Sequence, residues 1–361
     1  MMNYFKRMLK FSLKVGLGTA IVASVLTVSG ILFALFITTF FSMFGMQSRN
    51  ANFTREIIYG KEDAKHQFIS IPITGIILGD RSDIGDPFGV FEQTLTYGYE
   101  IKATLRDLAE DTRVDGVILE INSPGGTIYG AKAIADGVLY YKEKTGKPVI
   151  SFVSGLAASG AYWSAVSADK IFADQGTSVG SIGVIFGPFE YYDKVLAKDS
   201  GILLGGVVTQ NGIESLFITA GKSKDFGNPF RRLTAEEISR MQSMVNNEYD
   251  MFVDYVASRR SIPKKTIIED IGALVYDGKS GKEKNLIDMI SNKDDAYKAL
   301  AKLANVPEDD FSVSQEYPKK GLLMTILESR RMTTPLRSSA SLCGLTKVVL
   351  AYHGNVSKLC Q

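Results

Sequence analysis

The chain has 361 residues, 45% of them hydrophobic and 22% charged, with a formal net charge of +2. A chain of this kind buries a substantial core as one large domain or two small ones, and its interspersed charges offer no basic footprint for nucleic acid. Its only cysteines, Cys343 and Cys360, exclude a disulfide-dense scaffold and a four-cysteine zinc site, and its only histidines, His66 and His353, sit in no motif, so chemistry without histidine is expected.

Residues 1–14 carry Lys6, Arg7, Lys10 and Lys14, and no charge follows until Arg49. Residues 15–46 are therefore expected to form one membrane-spanning helix in contact with lipid, since about 20 apolar residues suffice to cross a bilayer. The basic cluster ahead of the span places the N-terminus inside and the rest of the chain outside. In a bacterium this means a single-pass protein of the cytoplasmic membrane with an extracytoplasmic domain. Residues 47–65 are polar and read as a linker.

From residue 66 to 304, strand-length apolar runs alternate with helical patterns. They are a strand from Phe68 to Ile73, a helix around Tyr97 to Asp111, a strand Val117 to Ile121, a helix around Ala131 to Thr145, a strand Val149 to Val153 and a helix opening near Ser159. This alternation predicts an α/β fold. Thr234-Ala-Glu-Glu237 matches a capping box, and Ile238, Met241, Val245, Tyr249, Phe252 and Val256 follow at helical spacing, predicting a helix of about 25 residues. Residues 305–361 are weakly periodic and read as a tail of undefined role.

Two segments could carry chemistry. Asn122-Ser-Pro-Gly-Gly126 follows a strand and precedes a helix, and its glycines allow amide hydrogens to point into a cleft, where they could hold a phosphate or an oxyanion. A plain tight turn explains the same residues. Ser154-Gly-Leu-Ala-Ala-Ser159-Gly-Ala-Tyr-Trp163 runs from strand through small residues into a helix, placing Ser159 at the positive end of the helix dipole. Close helix–strand packing is the competing explanation, and Gly-x-Ser-x-Gly is not satisfied at Ser159. Trp163 reads as a packing residue.

Joined to Ser167-Ala-Asp-Lys-Ile171, Thr177-Ser-Val-Gly-Ser181-Ile-Gly-Val184, Gly221-Lys-Ser-Lys224-Asp, Pro229-Phe230, Val275-Tyr-Asp-Gly278 and Leu286-Ile-Asp288, these segments resemble the signal peptide peptidase A family over about residues 66–300. The resemblance implies a crotonase/Clp protease-like domain of repeated ββα units and a serine endopeptidase using a Ser-Lys dyad without cofactor or metal. Carried over, it makes Ser159 the nucleophile, Lys224 the general base and Ser181 the hydroxyl that orients the amine, with Gly126 and Gly160 supplying the oxyanion-hole amides. Lys222 is the rival base, and a longer stretch around Lys198 to Gly212 departs from compact members. The resemblance further implies peptide substrates such as cleaved signal peptides, and a homo-oligomer whose active sites are shared between chains.

A lysine base carries a physical demand. With an ordinary pKa near 10.4 it is neutral in about one molecule in a thousand at neutral pH, and desolvation can lower that value by up to roughly 3–5 units. The apolar residues Leu156, Ala157, Ala158, Ile182 and Val184 around the motifs suit such a site. Ser167-Ala-Asp-Lys170 imitates a Ser-x-x-Lys motif, but no Lys-Thr-Gly partner occurs; Gly272 to Ser280 imitates a phosphate loop with one residue too many. Two other readings remain: a crotonase-type acyl-CoA enzyme, and a catalytically silent membrane scaffold of the same fold.

Overall fold

A computed structural model describes residues 24, 26–36, 53–80, 95–189, 219–228, 231–318 and 350–352. The chain divides into two compact units. One comprises Met1–Arg55 with Glu316–Arg337, and the other Glu56–Gln315 with Ser338–Gln361. In the first, residues 26–36 are helical and their apolar side chains face solvent: Leu26, Ile31, Leu32, Phe33 and Phe36 are each at least 60% exposed. Among the described residues no helix is long and apolar enough to cross a membrane.

Eleven strands, counted among the described residues, form one sheet. They are β1 (Phe53–Gly60), β2 (His66–Leu78), β3 (Leu95–Tyr97), β4 (Val114–Thr127), β5 (Val149–Ala158), β6 (Lys170–Ala173), β7 (Ser178–Gly180), β8 (Val275–Asp277), β9 (Met289–Ile290), β10 (Phe311–Pro318) and β11 (Leu350–Tyr352). The main path runs β1-β10-β2-β4-β5-β6-β9, and every pairing from β10 to β9 along it is parallel. Parallel strands require crossovers, which the helices supply: α1 (Gly98–Glu110) and α2 (Ile128–Thr145) flank β4, and α3 (Gly160–Ala165) follows β5.

A parallel sheet covered by helices is apolar on both faces. Ile69, Ile71, Ile73, Val117, Leu119, Ile121, Val149 and Val153 face a core shared with Leu105, Ile134 and Val138 of the first two helices. The intervening Phe68, Ile118, Ile150 and Phe152 face Tyr297, Leu300 and Ala301 of the helix Lys293–Leu303. The period-2 alternation of strands thus feeds two cores with one set of residues.

The expected long helix is α4 (Ala235–Arg260), and its capping box forms in both directions between Thr234 and Glu237. Its stripe is only partly interior: Phe252 and Val256 are buried, whereas Ile238 is 54% exposed. Residues Phe53–Gly60, within the stretch read as linker, form β1, and Phe311–Pro318, within the stretch read as tail, form β10. The predicted strand ending at Ile121 instead continues as β4 through Thr127, because a register shift between Ile121 and Ser123 absorbs the irregular residues. His353, Cys343, Cys360, Pro229, Phe230 and the stretch 198–212 lie outside the described residues.

Candidate active site

The carboxyl ends of β4, β5 and β7 lie side by side, the position where open α/β sheets hold their ligands. Ser123 on β4 is in register with Ala157 on β5, and Ala158 on β5 with Gly180 on β7. Ser159 and Ser181 are each the next residue beyond that last pair. Sheet register therefore brings together two serines that are 22 positions apart in the chain.

Ser159 caps α3 with φ 57° and ψ −119°, a conformation that a side chain rarely adopts, and it is 1% exposed. Its amide donates to Gly180 O at 2.8 Å and its hydroxyl to Gly183 O at 3.3 Å. Gly-x-Ser-x-Gly is not satisfied at Ser159, yet the chain makes a sharp, strained turn from strand into helix with the serine at its apex. Such a turn needs small neighbours, and Ala157, Ala158, Gly160 and Ala161 supply them. Strain of this kind costs about 1–3 kcal/mol and persists only where surrounding structure imposes it. Here α3 imposes it, because Trp163 stacks on Phe252 at 4.7 Å and Tyr162 donates to Leu286 O at 2.8 Å. Trp163 is thus a packing residue, as its sequence context predicts.

Ser181 also lies in the left-handed region, at φ 54°, and its amide donates to Leu274 O at 2.6 Å. The imitation phosphate loop has this structural use: Leu274 holds the Ser181 turn, and Asp277 caps the helix Gly278–Glu283. Ser167 similarly bonds Ser164 O at 2.6 Å, while Lys170 pairs with Asp288 at 3.2 Å, so neither contributes to a Ser-x-x-Lys site.

Gly126 lies against β2 so closely that a Cβ would fall 1.9 Å from Ile77 O. No other residue fits there. Its position is braced by Ser123, which sequence reasoning had not singled out: the fully buried hydroxyl donates to Gly75 O at 2.6 Å and accepts from the Gly125 amide at 3.1 Å. Gly125 itself takes φ 95°, a backbone conformation that glycine adopts without a side-chain clash. Asn122 Oδ1 accepts from the Leu156 amide at 3.2 Å, tying the loop to the residues ahead of Ser159. β11 pairs antiparallel with β4, with Ala351 opposite Gly126.

Lys224 is not brought to this cluster through any bond described in the chain. It is exposed on a series of turns over residues 221–228, and among the described residues its amine makes no hydrogen bond or ion pair. The rival Lys222 is engaged by Glu236. Among the described residues, the expected apolar surround is present for Ser159, whereas Lys224 is exposed.

A family model described as "Peptidase family S49" matches residues 141–307, a span that contains Ser159, Gly160, Ser181 and Lys224. A Methanocaldococcus jannaschii protein provisionally named a protease is 36% identical over 234 residues, covering 65% of this chain and 70% of that protein. An Enterococcus faecium protein provisionally named signal peptide peptidase A is 31% identical, covering 65% of this chain and 63% of that protein. Protease 4 of Haemophilus influenzae is 30% identical, covering 60% of this chain but 33% of its own length. Among solved structures, a ClpP1 mutant from Listeria monocytogenes matches with a TM-score of 0.38 at 15% identity, covering 62% of this chain and 92% of that chain. At 36% identity across 70% of the archaeal relative, this chain belongs to peptidase family S49 and is a serine peptidase.

Proposed function

We propose that the chain is a membrane-anchored endopeptidase in which Ser159 is the nucleophile, Lys224 the general base, Ser181 the hydroxyl that orients the amine, and Gly126 and Gly160 the oxyanion-hole donors. The observation that carries this reading is the buried, strained Ser159 at a strand-to-helix apex, with the Ser181 turn in register beside it. Strain at an N-terminal helix residue whose side chain makes no capping hydrogen bond is expected where that side chain must be aimed at a reactant.

In the proposed reaction, Ser159 Oγ attacks the scissile carbonyl while the Lys224 amine takes its proton. The carbonyl oxygen gains negative charge and meets the glycine amides, which interact more strongly with it than with the ground-state carbonyl. The tetrahedral centre then collapses to an acyl ester as the C–N bond breaks, and the lysine returns the proton to the departing amine. A water molecule, deprotonated by the same amine, releases the acid and restores Ser159. No cofactor or metal enters this scheme.

Two further readings follow. The edge of β4 at Gly125–Thr127 accepts an antiparallel strand from the chain's own C-terminal segment, which supports peptide substrates that bind by strand addition beside the nucleophile. The exposure of Lys224 leaves its desolvation to a neighbour, which supports a homo-oligomer in which Lys224 of the partner subunit serves each Ser159. The uncharged stretch from Val15 to Ser48 and the solvent-facing apolar residues at 26–36 support the membrane anchor, with the peptidase domain outside the bacterial cytoplasmic membrane. Substrates on that side would be cleaved signal peptides and other membrane-proximal chains, as the name of the Enterococcus relative suggests.

The test is peptide cleavage by Ser159→Ala and Lys224→Ala proteins, alone and after mixing and reassembly. Each alone is expected to be inactive, and the mixture to recover part of the wild-type rate. Full turnover by either variant alone contradicts the dyad; no recovery on mixing contradicts the shared site.

A further inference from the structure

A base must be held still, yet Lys224 lies in neither a helix nor a strand. Its segment is closed only by short turns: Lys224 N–H to Gly221 O at 3.2 Å, Phe226 N–H to Ser223 O at 3.0 Å and Asn228 N–H to Asp225 O at 3.0 Å, with Ser223 at φ 61°. Such a segment opens locally at small cost unless something outside it fixes its geometry.

Arg231 supplies that fixture. Its Nε and Nη2 donate to the two oxygens of Asp225 at 2.7 and 2.8 Å, and its Nη2 and Nη1 donate to the two oxygens of Glu237 at 2.8 and 3.0 Å. Nη1 also donates to Arg232 O at 3.1 Å, so every guanidinium N–H is used. Glu237 is 4% exposed and accepts the Thr234 amide at 2.8 Å through the capping box. It is therefore locked to the first turn of the 26-residue α4. Arg231 lowers the pKa of the Asp225 carboxyl and holds that of Glu237 well below the usual carboxylate range, and the Ser223 hydroxyl adds to the effect at Glu237. Both chain neighbours of Lys224, Ser223 and Asp225, are thus tied to one helix end.

We propose that Asp225, Arg231 and Glu237 are positioning residues for the general base, clamping the Lys224 turn to the N-terminus of α4. The clamp is local, so helix and lysine move as one piece whichever chain supplies the nucleophile. Two bidentate carboxylates facing one planar guanidinium fix direction as well as distance, which a single ammonium cannot do. This inference rests on Lys224 being the base.

The test is steady-state peptide cleavage by the full chain and by Lys224→Ala, Arg231→Ala, Arg231→Lys, Asp225→Asn and the double variant Arg231→Ala/Lys224→Ala, each with its thermal melt. A displacement of about 1 Å at a catalytic group can cost on the order of 10²-fold in rate. Arg231→Ala is therefore expected to lower kcat by about that factor with KM within about twofold, Arg231→Lys to restore little, and Asp225→Asn to fall between. On the Lys224→Ala background, where the rate of Ser159 labelling by a fluorophosphonate replaces turnover as the readout, Arg231→Ala is expected to cost nothing further, because the group it positions is gone. Near-wild-type kcat in Arg231→Ala, a loss expressed in KM, or an equal further loss in the double variant overturns the inference while leaving the base reading intact. Wild-type turnover by Lys224→Ala overturns both. If Arg231→Ala loses its cooperative melt, Asp225→Asn decides by the same kcat criterion.

Discussion

Replacing Ser159 by glycine and by alanine separates catalytic use of the residue from its cost to the fold. Both variants lose the hydroxyl and its 3.3 Å bond to Gly183, so both are inactive and that bond cancels in the comparison. They differ in the Cβ, which is what makes φ 57° and ψ −119° unfavourable. Relief of strain at one such residue is worth about 2 kcal/mol, within the usual range of roughly 1–3. Glycine's greater freedom in the unfolded chain returns about 0.7 kcal/mol. The net of about 1.3 kcal/mol should raise the melting temperature of Ser159→Gly over Ser159→Ala by about 3–5 °C for a domain of this size. Differential scanning calorimetry of the two proteins under identical conditions measures this. Equal melting temperatures, or a more stable alanine variant, would refute the claim that the nucleophile is held under strain.

Three further outcomes follow from the site. Gly126→Ala forces a Cβ to within 1.9 Å of the Ile77 carbonyl and must displace β2 or β4; a destabilisation of about 1–3 kcal/mol or more and a fall in kcat of at least about 10²-fold are expected, read by melts and peptide cleavage. Ser123→Ala removes the hydroxyl partner of the half-buried Gly75 carbonyl and of the buried Gly125 amide, at a cost of about 1–3 kcal/mol by chemical denaturation, with reduced kcat as the Gly126 loop loosens. The Glu237 and Asp225 carboxyls have folded-state pKa values below their unfolded ones, so their contribution is fully present above about pH 5 and is lost as pH falls through the folded values. The stability gap between the wild type and Glu237→Gln should hold steady from about pH 5 to 7 and shrink below about pH 4.

Local signals carried the elements that local chemistry builds. The Thr234–Glu237 capping box is complete in the sequence, and the helix it opens is where the spacing predicts it. Gly98–Glu110 and Ile128–Thr145 likewise match their periodicity. What the sequence hides is non-local. β1 and β10 join the sheet only by pairing across some 250 residues, and neither Phe53–Gly60 nor Phe311–Pro318 has a local feature that announces a partner. The Asn122–Gly126 stretch reads as a turn because proline and glycine usually make one, but register shifts keep it within β4.

The site shows the same division. Ser159 was legible as a serine at a strand–helix junction among small residues, whereas its strained backbone follows from packing of α3 that no motif encodes. The adjacency of Ser181 comes from β5–β7 register. The Asp225–Arg231–Glu237 clamp is spaced six and six along the chain, a period of neither helix nor strand, so only the folded turn shows it.

Covalent labelling tests the central claim most directly. Wild-type and Lys224→Ala proteins are treated with a serine-directed fluorophosphonate and the adduct is mapped by mass spectrometry over time. The account predicts one adduct, on Ser159, forming at least about 10²-fold more slowly without the lysine, within the usual range for general-base assistance. An adduct on another serine, or an equal labelling rate in the two proteins, would contradict it.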